Sequence, residues 1–151
     1  MNFNQFKSFF LKLINNKDNP YHPLVWINGD PKVGKNTYIG GFSELNAEGG
    51  EISIGENCDI ASFVVINVAD SHLKTIGLKK DIEYGKISIG NNVFIGAQSS
   101  ILGNVIINNF SVVGAGTVLR DCEIPEYSLV VGNPPIIKKN YYKKKKKNTK
   151  R

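Results

Sequence analysis

The sequence predicts an all-β fold in which short parallel strands stack into a three-sided coil. Aliphatic residues recur at an interval of six, small or turn-tolerant residues follow most of them, and the interval is interrupted twice. The longest unbroken run is Ile89, Ile95, Ile101, Ile107, Val113 and Leu119, and shorter runs are Val33, Ile39 and Leu45, then Ile54, Ile60 and Ile66. Each unit is read as a strand plus a corner, and three units close a coil of about 18 residues. The aliphatic side chains point inward and are buried against neighbouring coils.

Residues 1–32 are predicted to form one short helix and a turn-rich lead-in. Apolar residues at helical spacing share one face of segment 3–14, namely Phe3, Phe6, Phe10 and Leu13. We expect this face to pack on the protein's own body or on a neighbouring subunit. A signal peptide is rejected, because Lys12 interrupts the apolar stretch and no small-residue cleavage site follows. Three prolines in residues 15–32 disfavour helix and central strand there.

Residues 33–137 are predicted to form the coil domain, with two departures from the interval. A short insertion lies around Ala47–Gly50, where Leu45 and Ile54 stand nine residues apart. The second separates Ile66 from Ile89, and its polar excess over about residues 71–86 must leave the coil as a loop. A long loop on a regular scaffold is a common place for function.

Composition narrows the function classes. The chain has 151 residues, enough for one domain, and no apolar run reaches the ~18 residues that cross a bilayer. Two cysteines are too few for a disulfide-stapled fold or a four-thiolate zinc site. Nine of the nineteen cationic residues lie in the tail, residues 138–151, which has no acidic residue. The remaining body is slightly acidic, so a nucleic-acid-binding fold is not indicated.

Four segments of the chain resemble the hexapeptide-repeat acyltransferases. They are Ile54-Gly-Glu-Asn-Cys-Asp-Ile-Ala, Ile89-Gly-Asn-Asn-Val-Phe-Ile-Gly-Ala, Val113-Gly-Ala-Gly-Thr-Val and Val131-Gly-Asn-Pro-Pro. The resemblance is greatest to the galactoside, maltose and polysaccharide O-acetyltransferases and covers about residues 33–138. It implies a left-handed parallel β-helix and an acetyl-CoA-dependent transferase that works as a homotrimer with sites between subunits.

The resemblance implies that His72 is the catalytic general base. In the family this histidine lies where the loop leaves the coil, and a nearby imidazole can take the proton of a sugar hydroxyl. A carboxylate is expected to orient it, and the candidates are Asp70, Glu48 and Glu83. Asp70 is two residues away and would point the same way on a strand. His22, outside the repeat, is interpreted as structural.

The resemblance also assigns residues to acetyl-CoA and to the acceptor. Ala97 matches a position whose backbone N–H helps hold the thioester oxygen, and Arg120 matches a basic residue near the coenzyme's phosphates. Gly114, Ala115 and Gly116 match the segment along which the pantetheine arm lies. The terminal turn matches at Gly132, Asn133 and Pro134. The acceptor is expected near Glu44, Glu48 and Glu83.

Two departures from the family pattern concern the coenzyme. Phe94 stands where the family has Trp, which is an aromatic replacement. Pro135-Ile136 replaces the usual small residue and cation after the Gly-Asn-Pro turn. Lys138 or Lys139 is the candidate to supply the missing cation.

The predicted function is acetyl transfer to a sugar or polysaccharide-precursor hydroxyl, without a metal. An amine acceptor on a nucleotide-linked amino sugar needs the same base and stays open, as does a non-enzymatic β-helix scaffold. A carbonic anhydrase of this fold needs three histidine ligands, and the chain has two. We expect a cytoplasmic protein whose lysine tail is either a solubilising segment or a peripheral contact with anionic membrane.

Overall fold

The computed structural model describes residues 1–16 and 19–143 and has the stacked coil that the repeat predicts. Helix α1 (Phe3–Leu13) precedes the coil, and α2 (His72–Thr75) lies in the loop. The strands in chain order are β1 (Trp26–Asn28), β2 (Lys32–Val33), β3 (Tyr38–Ile39), β4 (Glu44–Asn46), β5 (Glu51–Ile54), β6 (Asp59–Ile60), β7 (Val65–Asn67), β8 (Ala69–Asp70), β9 (Glu83–Tyr84), β10 (Lys86–Ile89), β11 (Phe94–Ile95), β12 (Ser100–Ile107), β13 (Val112–Val113), β14 (Val118–Ile124), β15 (Leu129–Val131) and β16 (Ile136–Lys138).

The strands form three faces, and within each face they pair in parallel from coil to coil. The first face contains β1, β4, β7 and the first halves of β12 and β14. The second contains β2, β5, β10 and the second halves of β12 and β14. The third contains β3, β6, β11, β13 and β15, and the antiparallel β16 closes its edge. This solenoid of about 5 turns is consistent with the left-handed β-helix.

The six-residue aliphatics line one interior, as predicted. Strand register places Ile66 between Leu45 and Ile101, and Ile95 between Ile60 and Val113. All of the predicted aliphatics except Val33 are at most 4% exposed. Val33 lies on the edge strand β2 and is half-buried. Because β1 pairs with β4, stacking already begins at Trp26, before residue 33.

Small residues after the aliphatics allow the coils to approach closely. A Cβ added at Gly55 would lie 2.6 Å from the backbone of Gly90 in the next coil. The left-handed turn itself falls two residues later, for example at Asn57, where φ is 56°. Asparagine tolerates this conformation better than most residues. The structure therefore places the left-handed residue two positions after the small residue to which the sequence assigned the turn, and close packing between coils is the reason for the glycine.

Helix α1 forms where it was predicted, but its phenylalanine face does not pack on the body. Asn2 and Gln5 form a capping box at its start. The buried residues are Leu11 and Lys7, and the Lys7 ammonium donates to the Asn19 carbonyl at 2.7 Å and to that of Tyr21. Phe3 and Phe6 are 68% and 48% exposed. The predicted packing of this face on the protein's own body is therefore not seen, and its packing on a neighbouring subunit stays a prediction.

Neither helix in the described part of the chain is long and apolar enough to span a membrane. Most of the lysine tail, from residue 144 onward, lies outside the described residues, and both interpretations of it stay predictions.

Candidate functional site

The predicted loop leaves the coil at the corner between the first and second faces. Strands β8 and β9 pair as an antiparallel hairpin, with Ala69 opposite Tyr84 and Asp70 opposite Glu83. The Gly85 N–H closes its base by donating to the Val68 carbonyl at 2.8 Å. The short helix α2 starts at His72, directly after the outgoing strand of the hairpin. The hairpin therefore gives the start of the loop a defined conformation next to the coil.

Asp70 is the carboxylate that the structure brings to His72. The His72 Nδ1 bonds to Asp70 Oδ1, and the His72 backbone N–H donates to the same oxygen at 3.3 Å. The two residues meet because strand β8 ends at Asp70 and Ser71 turns the chain into α2. The two residues do not lie on one continuous strand, and of the three candidate carboxylates the structure places Asp70 against His72. That Asp70 orients a catalytic base stays a prediction.

The Asp70–His72 geometry fixes which imidazole nitrogen is available. An ionised carboxylate only accepts hydrogen bonds, so Nδ1 carries a proton, and in the neutral imidazole the lone pair is then on Nε2. Hydrogen bonds from His72 and then from Arg120 hold the pKa of the Asp70 carboxyl well below its usual range. The His72 side chain is 58% exposed. An exposed Nε2 with an oriented ring can accept a proton from a bound molecule.

Arg120 lies beside this pair, on β14. Its Nη1 donates to Asp70 Oδ2, so one carboxylate joins His72 to Arg120. The sequence placed Arg120 near the coenzyme's phosphates and gave no signal for this contact, because 50 residues separate the two partners. Its role towards the coenzyme stays a prediction.

Two of the three predicted acceptor residues lie at the same corner as His72. Glu83 stands opposite Asp70 and pairs with Lys79. Glu48 is exposed in the turn before β5. That turn packs under the hairpin. Gly49, with φ 76°, lies so close to the Tyr84 ring that a Cβ would not fit there. Glu44 differs, because it lies on β4 in the first face, next to the inward-pointing Leu45.

A small cleft runs between the hairpin and the coil beside the Asp70–His72 pair. Its volume is about 170 Å³, and the charged residues that line it are Asp70, Glu83, Arg120 and Asp121. Asp121 accepts a hydrogen bond from the Asn104 N–H at 2.9 Å. Sequence reasoning missed this cleft, because its walls come from the loop and from two coils distant in sequence. Its polar lining suits a ligand that carries hydroxyl groups.

Most of the residues assigned to acetyl-CoA lie at a different corner, between the third and first faces; Arg120 and Lys138 do not. Ala97 follows β11, Gly114 to Gly116 follow β13, and Asn133 and Pro134 follow β15. They stack along the coil axis, and the Gly116 N–H donates to the Ala97 carbonyl at 2.9 Å. A Cβ added at Gly116 would meet no atom within 4 Å, so the surface is open at this position. The assignment of this corner to the coenzyme stays a prediction.

Lys138 stands apart from that corner. Lys138 lies on β16 opposite Leu129 of β15, and its ammonium lies 6.0 Å from the centre of the Tyr141 ring. Its assignment to the coenzyme stays a prediction.

The first face separates the two groups of predicted site residues within one chain. Asp70 and His72 lie at one of its edges, and Ala97 and Gly116 lie at the other. A single copy therefore does not bring the candidate base to the candidate coenzyme surface. Within residues 1–16 and 19–143 we find no group of three or more metal-binding side chains. His22 accepts from the Leu24 N–H at 3.1 Å, as a structural histidine would.

Comparison with known proteins agrees with the repeat and the fold. The sequence model of the family described as bacterial transferase hexapeptide (six repeats) matches residues 86–121. The bifunctional protein GlmU of Wigglesworthia glossinidia brevipalpis is 36% identical over 104 residues, which are 64% of this chain. The chain spans about a quarter of the length of the GlmU proteins it matches, 22% in this case and 28% for that of Wolbachia pipientis wMel.

Three solved structures share the fold. A maltose O-acetyltransferase from Clostridium difficile 630 superposes with a TM-score of 0.60 at 26% identity, over 89% of this chain and 83% of that one. The polySia-specific acetyltransferase NeuO gives 0.61 at 26% identity, over 77% and 61%. Galactoside acetyltransferase in complex with coenzyme A gives 0.57 at 23% identity, over 93% and 82%. At that identity the last likeness shows the fold alone.

Proposed function

The chain belongs to the hexapeptide-repeat acyltransferase family, and from this premise we propose that it transfers an acetyl group from acetyl-CoA to a sugar hydroxyl. The observation that carries the proposal is the Asp70–His72 pair at the start of the loop. Similarity to the maltose and polySia acetyltransferases supports a saccharide acceptor. The thioester of acetyl-CoA supplies an activated carbonyl, and residues of this chain supply the general base and the oxyanion hydrogen bond.

His72 acts as the general base in this proposal. Its Nε2 takes the hydroxyl proton while the sugar oxygen attacks the acetyl carbonyl, which makes a poor nucleophile reactive. Asp70 holds the ring through Nδ1 and stabilises the imidazolium that forms. The imidazolium then returns the proton to the departing thiolate. Ala97 offers its backbone N–H to the oxyanion, and Gly116 leaves room for the pantetheine arm.

We further propose that each complete site is formed by two copies of the chain in a homotrimer. The base and the coenzyme surface lie at opposite edges of the first face, so placing one copy beside the next can bring them together. The loop also exposes apolar side chains that a neighbour can cover, since Ile76 and Leu78 are 64% and 71% exposed.

Release of free thiol from acetyl-CoA, measured over a panel of sugars and amino sugars, tests the proposal. We expect turnover with hydroxyl acceptors and a loss of about 100-fold or more in His72→Ala, in line with general-base contributions. His22→Gln is the matched control and keeps activity, since His22 lies outside the loop. Turnover with amines alone would change the acceptor class. Turnover that His72→Ala leaves unchanged would remove His72 from the mechanism.

A further inference from the structure

Asp70 holds two side chains at once, one on each carboxylate oxygen. Oδ1 accepts from the His72 ring and Oδ2 accepts from the Arg120 guanidinium. The Asp70 side chain is 17% exposed, much less than those of its two partners. Because both oxygens are engaged, the carboxylate plane is fixed by groups on opposite sides.

Arg120 differs from Asp70 and His72 in what supports its backbone. Asp70 and His72 belong to the loop, and the four residues of α2 include no buried one. Arg120 lies on β14, where it pairs in register with Leu102 and follows the fully buried Leu119. A side chain whose backbone is fixed by a packed coil can hold a loop residue in place.

The surroundings of Arg120 do not suit a phosphate. Three carboxylates, those of Asp70, Glu83 and Asp121, line the same cleft as the single guanidinium. Although Lys79 pairs with Glu83, the carboxylates here still outnumber the cations, which disfavours a phosphate anion, and the Arg120 charge is already paired with Asp70.

We propose that Arg120 is a positioning residue that fixes the Asp70–His72 pair to the coil, and that it does not bind the coenzyme's phosphates. The proposal rests on the proposed function, in which His72 is the base. Arg120 acts through Asp70, so its removal loosens the imidazole and lowers turnover without weakening donor binding.

Steady-state kinetics of Arg120→Met, Arg120→Lys, Asp70→Asn and the double variant Asp70→Asn/Arg120→Met separate the two roles. We expect Arg120→Met to lower kcat by about 10- to 100-fold, as a misplaced catalytic group does, with KM for acetyl-CoA within about twofold. Arg120→Lys recovers part of the loss, because an ammonium can still pair with Asp70. The double variant is no slower than Asp70→Asn, because both changes break one chain of contacts.

Lys86→Met is the matched control, since Lys86 forms an exposed ion pair with Glu51, with 2.7 Å between Nζ and Oε2, and does not line the cleft beside His72. It should leave kcat unchanged, because exposed pairs contribute little. A rise of about tenfold or more in KM for acetyl-CoA with unchanged kcat in Arg120→Met would overturn the proposal and return Arg120 to the coenzyme. Additive losses in the double variant would also overturn it.

Nitrogen-15 NMR of the two imidazoles tests positioning without relying on activity. The chain has two histidines, so His72→Gln assigns the His72 signals and His22 serves as the internal reference. We expect the Nδ1–H form of His72 in the wild type, and a shift towards the mixture of a free imidazole in Arg120→Met and in Asp70→Asn. If His72 keeps the wild-type tautomer in Arg120→Met, the positioning role is wrong. If instead no acceptor supports turnover, the proposed function fails while this measurement still decides the role of Arg120.

Discussion

Asp70 shows at the scale of one residue how a surface carboxylate becomes part of a site. Hydrogen bonds from His72 and Arg120 stabilise its charged form and hold its pKa well below the usual range. The Asp70 carboxylate is therefore ionised at neutral pH and can stabilise a protonated His72 imidazole. The same shift has a consequence for stability that can be measured independently of the reaction.

Asp70→Asn tests that consequence. A group whose folded pKa is depressed stabilises the fold above its unfolded value, about 3.9 for Asp, and this contribution is lost as pH falls through the lower folded value. We expect the wild type to be more stable than Asp70→Asn above about pH 5, and this difference in unfolding free energy to shrink as the pH falls below the unfolded Asp value. Urea unfolding followed by circular dichroism measures the difference, and Asp81→Asn in the same loop is the control. A difference in unfolding free energy that stays constant down to pH 2 would contradict the coupling of Asp70 to His72 and Arg120.

At the scale of the single coil, hydroxyl groups inside the prism depend on the next coil. Ser43 donates to the Ala61 carbonyl at 3.1 Å, and Ser111 to that of Pro125 at 2.9 Å. Ser128 occupies the same place in the last coil, and its buried hydroxyl has no partner among the described residues. Within residues 19–143 no further coil follows to supply a carbonyl, since the antiparallel β16 closes that edge.

Two serine-to-alanine substitutions test this dependence. Ser111→Ala leaves the Pro125 carbonyl without its partner and should cost about 1 kcal/mol of unfolding free energy. Ser128→Ala removes an unpaired buried hydroxyl and should be neutral or slightly stabilising. Urea denaturation of both variants gives the comparison. An equal loss in the two would mean that the hydroxyl bonds between coils contribute little.

Strands and loop were predictable because their signals are periodic or local. The six-residue interval gave the interior, and its failure between Ile66 and Ile89 gave the loop. The phenylalanine face of α1 could not be placed, because helical spacing identifies an apolar face but not what covers it. The Arg120–Asp70 contact could not be predicted either, because its partners are 50 residues apart and no local pattern near either residue indicates it.

At the scale of the whole molecule, the three-sided shape determines what one chain can do. A prism with three faces has three corners, and the candidate base and the candidate coenzyme surface occupy two of them. Closed rotational symmetry places one corner of each copy beside a different corner of the next. On this account one chain carries both the candidate base and the candidate coenzyme surface but keeps them apart, and the active site forms only when copies assemble.

Complementation between two inactive variants tests this claim most directly. His72→Ala removes the base, and Gly116→Phe fills the coenzyme surface with a residue that the same corner already holds at Phe42 and Phe63, each with φ near 60°. Each variant alone should release little thiol from acetyl-CoA. The random population of trimers formed by refolding equal amounts of the two together, verified by native mass spectrometry, should regain about a quarter of wild-type activity, because one site in four of the whole population joins an intact base to an intact coenzyme surface. Mixed trimers no more active than the separate variants would contradict a site shared between copies.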